Sequence, residues 1–378
     1  MAGTPYFPGQ EPQLVAKLDG YLDHLRLDLK QKPDLAAAIA ALVLAGGYGR
    51  GEGGIFRRDN SSTSELYNDL EFYLIAHPHA PFRLLQDWCT QHAHYGDRLL
   101  GIEVEFKILR TPQLEGGSPS MFYYDLLSAH CLVFGSDTFM ASLPAKLRDS
   151  ALIPSEEATR LLFNRGTGLF FSRVALEENS DLVQNGFIER NHAKVRLALA
   201  DAVLALNGFY HYSCLERQQR LDRPMQYTPP DWPLLREWHK LGVEFKLHPR
   251  HLQPTAVELN QTQIELCEVW MRTFLWLESI RLHKTFHSPA DYAFHTGRLY
   301  PQSPLWKNLA LTVRDGIKRG AMLPGILDYP RAALQRALVL LLQPPPSIAK
   351  AGRLLGLHSN PSLSQIRDAY RRWWGYYN

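Results

Sequence analysis

The period of the hydrophobic pattern changes along the chain, and the changes mark its organisation. Leu14, Val15, Leu18, Leu22, Leu25 and Leu27 recur at near-helical spacing, which predicts an amphipathic helix over residues 13–29. Residues 35–44 are apolar throughout and run into Ala45-Gly46-Gly47, so they read as a buried segment stopping at a glycine turn. Residues 69–75 begin in alternation and then turn apolar. Residues 101–109 alternate apolar with charged side chains, the period that sends neighbours to opposite faces of a strand. Residues 81–93 between them predict a helix, and the polar stretch 57–64 predicts a loop.

From about residue 154 the pattern becomes that of long helices. Ser155 offers an N-cap followed by Glu156 and Glu157, and residues 191–207 and 261–284 are the strongest helical stretches. The last third is helical in smaller pieces broken by prolines. The expected architecture is α+β: an α/β head, with a small mixed sheet flanked by helices, followed by a mostly helical body. The expected boundaries are 1–150, 151–288 and 289–378.

Composition adds limits. With 45% hydrophobic and 21% charged residues the 378-residue chain has the means to bury a core, which excludes bulk disorder. Lys and Arg number 41 against 38 Asp and Glu, so the surface as a whole is not built to hold nucleic acid, while a local basic groove stays open. No apolar run approaches the ~20 residues of a membrane span, and Met1 to Pro5 lack the pattern of a secretory signal. Cys89, Cys131, Cys214 and Cys267 lie far apart with no CxxC pair, which fits reduced, buried thiols. These features predict a soluble cytoplasmic protein with no membrane partner.

The chemistry concentrates in two stretches. Residues 46–54 hold six glycines around Arg50, a composition that brings backbone amides and a guanidinium fork close to an anion. Then comes Asp69-Leu70-Glu71, whose carboxylates point to one face of a strand. Glu103 and Glu105 repeat the arrangement on the next strand. Like charges so close call for a hard cation with oxygen ligands. A third carboxylate beside the first two would complete a site for two magnesium ions suited to displacement at phosphorus.

On these residues the sequence resembles the nucleotidyltransferase superfamily related to DNA polymerase β, and within it the small-molecule branch of aminoglycoside and minimal nucleotidyltransferases. The matching elements are Ala45-Gly46-Gly47, Arg50-Gly51, Asp69-Leu70-Glu71, and Glu103 or Glu105, over about residues 35–140. The resemblance implies that Asp69 and Glu71 hold two Mg²⁺ ions and the triphosphate. It implies that Glu105, or else Glu103, binds one metal and deprotonates the attacking hydroxyl. Glu105 is favoured because a mostly apolar run follows it. Gly46, Gly47 and Arg50 would bind the leaving pyrophosphate portion.

Residues 55–66 would be an insertion relative to the family, in which Arg57, Arg58 and Asp59 either cover the phosphates or are solvated. Lys194 in the helical body would reach the nucleotide, sharing a helix face with Asp201, seven residues on; Tyr210 and Arg217 follow as further cleft residues. The implied reaction moves AMP from ATP to a hydroxyl of a small molecule or protein side chain. Two alternatives stand beside it. One is a nucleotide-binding regulatory protein that keeps the fold without turnover. The other is an RNA-end nucleotidyltransferase that uses the basic, aromatic C-terminus, where Arg371 and Arg372 interleave with Tyr370, Trp373, Trp374, Tyr376 and Tyr377. For those aromatics, docking on the body is the competing expectation.

Overall fold

The strand Ile39–Leu44 (β1) is buried along its whole length, as an apolar run must be when both faces of its sheet are covered. In the computed structural model, which describes residues 6–9, 11–57, 64–178, 182–250, 254–319, 325, 327–357 and 360–377, β1 lies inside a four-stranded mixed sheet. Its other described strands are Leu70–Ala76 (β4), Val104–Arg110 (β5) and Cys131–Gly135 (β6), in the order β5-β4-β1-β6. Ile55–Arg57 (β2) and Ser64–Leu66 (β3) form a separate two-stranded ribbon. β1 pairs antiparallel with β4 and β6, whereas β4 and β5 run parallel. A parallel pair needs a crossover, and the helix Phe82–Leu100 supplies it.

Alternation sorts the side chains onto two layers. Leu42, Leu44, Phe72, Leu74 and Val104 pack with Leu18, Tyr21, Leu22 and Leu25 of the helix Pro12–Lys30 and with Leu85 and Trp88 of the crossover helix. Ala41, Val43, Tyr73 and Ile75 face the other way, toward Leu114, Leu126, Leu127 and Met140. By the same parity Glu71 and Glu105 belong to this second face, where the strand ends leave it to polar groups.

The chain divides into two compact units. The first takes 1–157 together with 204–226 and 240–251; the second takes 158–203, 227–239 and 252–378. These interleaved units divide the chain differently from the three consecutive segments expected from composition. The physical reason is that the first unit draws two later pieces of chain into its own hydrogen bonds, described below. The architecture is α+β, with a small mixed sheet plus helices.

The second unit is helical. Trp270, fully buried, sits against Gly166 and donates its indole N–H to the Leu162 carbonyl. Glu278 and Arg281, both buried, form a two-pronged ion pair at 2.7 and 2.6 Å, and Tyr292 and Thr159 donate to the same carboxylate. The C-terminal aromatics are docked: Tyr370, Trp373 and Tyr377 are buried, and the Tyr370 hydroxyl bonds that of Thr167 at 2.8 Å.

Arg57 and Ser64, the two ends of the stretch expected to be a loop, belong to the β2–β3 ribbon, and residues 58–63, Arg58 and Asp59 among them, lie outside the described residues. Arg57 is largely exposed and pairs with Glu11. All four cysteines are free; Cys89, Cys214 and Cys267 are buried and Cys131 is half-buried. No helix among the described residues is long and apolar enough to cross a membrane.

Candidate functional site

The register of β4 on β5 brings two of the predicted carboxylates together. Glu71 stands opposite Glu105 on the neighbouring parallel strand, and paired strands lie about 4.8 Å apart. Asp69 immediately precedes β4 and is exposed. Burial pushes the Glu71 carboxyl above its ordinary range, and the Asp69 charge adds to the rise, as does that of Glu105; Lys107 and Arg50 oppose it. Glu71 therefore feels the charges of both Asp69 and Glu105. Glu103 is exposed and lies just outside β5, where its carbonyl accepts from the Leu70 amide at 2.9 Å. Register thus sets Glu105, rather than Glu103, beside Glu71.

The Glu105 carboxylate carries the Lys107 ammonium at 2.8 Å. Among the described residues no group of three His, Cys, Asp or Glu side chains is already arranged to hold a metal ion.

After β1 the chain makes one helical turn, Gly46–Gly49. Gly46 has φ +62, and a Cβ there would come within 3.2 Å of the Glu71 carboxyl carbon. The turn presses its backbone against that carboxylate, and a glycine is what permits it. At Gly49 a Cβ would lie 2.1 Å from the Leu44 carbonyl oxygen, so no side chain fits there unless the end of β1 moves.

Most of the loop's amides are occupied internally. Glu52 N–H donates to Gly47, Gly53 to Tyr6 and Gly54 to the Asn68 side chain. Those of Gly46 and Gly47 have no acceptor among the described residues. Tyr48, fully buried, closes the loop: its hydroxyl donates to the Gly54 carbonyl at 2.8 Å and accepts from the Tyr67 amide at 3.0 Å. Tyr48→Phe is expected to lower stability by about 2 kcal/mol, because the Tyr67 amide and Gly54 carbonyl lose their partner inside the protein. An unchanged urea midpoint would show that the loop closes without this bridge.

Arg50 does not project as an open fork. It is tucked in, and its Nη1 donates to Asp125 Oδ2 at 2.7 Å, an oxygen that also takes the Tyr210 hydroxyl at 3.2 Å. The Arg217 guanidinium lies 5.1 Å from the Tyr210 ring centre and donates to the His211 and Tyr212 carbonyls. Arg50 Nε and Asp125 Oδ1 are buried with no hydrogen-bond partner, one unmet donor and one unmet acceptor in the same pair.

Glu52, only 4% exposed, fastens the loop from the other side. It accepts from the Ser213 hydroxyl at 2.6 Å, the Cys214 amide at 2.8 Å and the Lys246 ammonium at 2.7 Å. Burial works against its charge, but Lys246, Ser213 and Cys214 outweigh it and hold the carboxyl at about 2. Sequence reasoning passed over Glu52, Asp125 and Lys246. The one local signal was Glu52 itself, an acid inside a glycine loop.

Lys194 belongs to the second unit, where it is exposed. Asp201, seven residues on, is buried with one oxygen 3.0 Å from His239 Nε2, so the two do not share a surface.

Compared with known proteins, the chain matches no family model and has no significantly similar curated relative. What it does has to be read from the site itself.

Proposed function

We propose that the first unit is a magnesium-dependent nucleotidyltransferase with the polymerase-β-like fold, moving AMP from ATP to a hydroxyl of a small molecule or protein side chain. The observation that carries this reading is the in-register pair Glu71 and Glu105, with Asp69 beside it and the Gly46 turn against the Glu71 carboxylate. The donor set suits a hard cation: it is all carboxylate oxygen, and a divalent ion would offset both the burial and the neighbouring negative charges that raise the Glu71 carboxyl.

Asp69 and Glu71 would hold two Mg²⁺ ions, and Glu105 one of them. Bound there, the ions would polarise phosphate oxygens and offset the charge that develops in an in-line displacement. Glu105 would accept the proton of the attacking hydroxyl, whose oxygen then bonds to the α-phosphorus as the bond to pyrophosphate breaks. The Gly46 and Gly47 amides would donate to the departing phosphates. Arg50, held by Asp125, contributes positive charge behind the loop rather than a free fork.

The test is incubation of the chain with α-labelled ATP, Mg²⁺ and pools of hydroxyl acceptors. Pyrophosphate release with label transfer, abolished by a chelator, is the expected result. Nucleotide binding with no turnover across broad pools would instead favour a regulatory protein, an outcome that the Glu105–Lys107 pair makes worth measuring. For the RNA-end alternative, the buried state of Tyr370, Trp373 and Tyr377 takes away much of the stacking surface it needs.

A further inference from the structure

The helix Leu305–Arg319 of the second unit is amphipathic in the inverted sense. Its buried side chains are polar: Asn308, Thr312 and Asp315. Asn308 is met by Ser303 and by the Leu327 carbonyl, and Asp315 by Arg314, Tyr376 and the Tyr377 hydroxyl at 2.8 Å. These bonds hold the helix to the unit without using its apolar side. That side faces out, with Trp306 74%, Leu309 43%, Val313 45% and Ile317 80% exposed. The spacings of three, four and four residues line them up as one stripe. Large apolar groups left in water in a continuous stripe mark an interaction surface.

Charge says what kind of surface it meets. Of its described side chains Lys307 is exposed, and Arg314 is half-exposed with one edge of its guanidinium bonded to the buried Asp315, the helix's one acid. The C-terminal helix Leu363–Tyr377, packed alongside through Tyr376 and Tyr377, adds exposed Arg372 one turn before Tyr376. The complement must be apolar and anionic together. A second copy would bring a second basic helix, and a convex helix offers no groove to seat a peptide. An anionic bilayer supplies both properties, acyl chains below and phosphates above. At 15 residues the helix is about 22 Å long, which suits lying in the interface and falls short of spanning it.

We propose that the Leu305–Arg319 helix docks this chain on an anionic lipid surface, with Trp306, Leu309, Val313 and Ile317 entering the headgroup boundary and Lys307 and Arg314 meeting lipid phosphates. The proposal is independent of the nucleotidyltransferase reading. The test is sedimentation of the full chain with vesicles of phosphatidylcholine plus phosphatidylserine, against phosphatidylcholine alone. Binding to the mixed vesicles, about 30-fold weaker on the neutral ones, is expected from two basic residues at the surface. Trp306→Ser combined with Ile317→Ser should cost at least ~10-fold. Both side chains are exposed, so the variant keeps its fold. Lys307→Glu should weaken binding to the mixed vesicles only. Equal binding to both vesicles, no binding to either, or undiminished binding by the double variant would overturn the proposal. So would self-association in sedimentation velocity that the double variant abolishes, which would assign the stripe to a second copy. Preference for an acidic amphipathic peptide over the vesicles would assign it to a protein partner.

Discussion

Glu71→Gln is expected to cut pyrophosphate release by at least ~10³-fold, the scale of losing a group that stabilises transition-state charge, while raising the stability of the chain. The two effects share one cause. Burial and the neighbouring Asp69 and Glu105 charges raise the Glu71 carboxyl in the folded protein, so its ionised form is disfavoured there. A carboxyl raised on folding weakens the fold as pH climbs above its ordinary 4.5, so the penalty acts at neutral pH. Glutamine keeps the shape and removes the charge. Urea unfolding and a pyrophosphate assay on the same preparations check both halves. A variant that loses activity and stability together would point to a merely structural Glu71. Full activity would sink the mechanism.

Glu52→Gln is expected to act in the opposite direction, destabilising the chain by about 3 kcal/mol at neutral pH. That figure is the gap between an ordinary value of 4.5 and about 2 in the fold, and it agrees with the cost of breaking a buried ion pair. Because folding lowers this carboxyl, its contribution is complete above 4.5 and fades as pH falls toward 2. Wild-type stability should therefore drop between neutral pH and about pH 3 by a share that the variant does not lose. Urea midpoints at the two pH values measure this directly, and parallel losses in the two proteins would remove Glu52 as the cause.

Much of the head was legible because alternation is a local signal. Residues 104–109 of the period-two run 101–109 became β5, with Val104 and Phe106 on the core side and Glu105 opposite them. The β2–β3 ribbon was not legible, since three-residue strands carry too little pattern to stand out from a polar loop. Glu105 could not be separated from Glu103 by composition, because both satisfy the same parity; only the pairing of the strands shows that Glu105 is the one opposite Glu71. Asp125 was hidden in an ordinary helix, Met121–Ser128, and Lys246 in another. Their meaning comes from partners far along the chain, to which no window of sequence is sensitive. The inverted helix was unreadable for a related reason. Its strong amphipathic pattern predicts that one side is buried, and a core facing its polar side reverses the usual assignment.

The Glu52 latch also bears on the order in which the protein can be made. Its lysine partner emerges 194 residues after it, which at about 5–20 residues per second is some ten to forty seconds of synthesis. Through that interval the sheet can form, since its strands all lie before residue 136, but the glycine loop holds a carboxylate whose counter-charge does not yet exist. The glycine loop should therefore be among the last parts of the head to settle, well after the sheet beneath it.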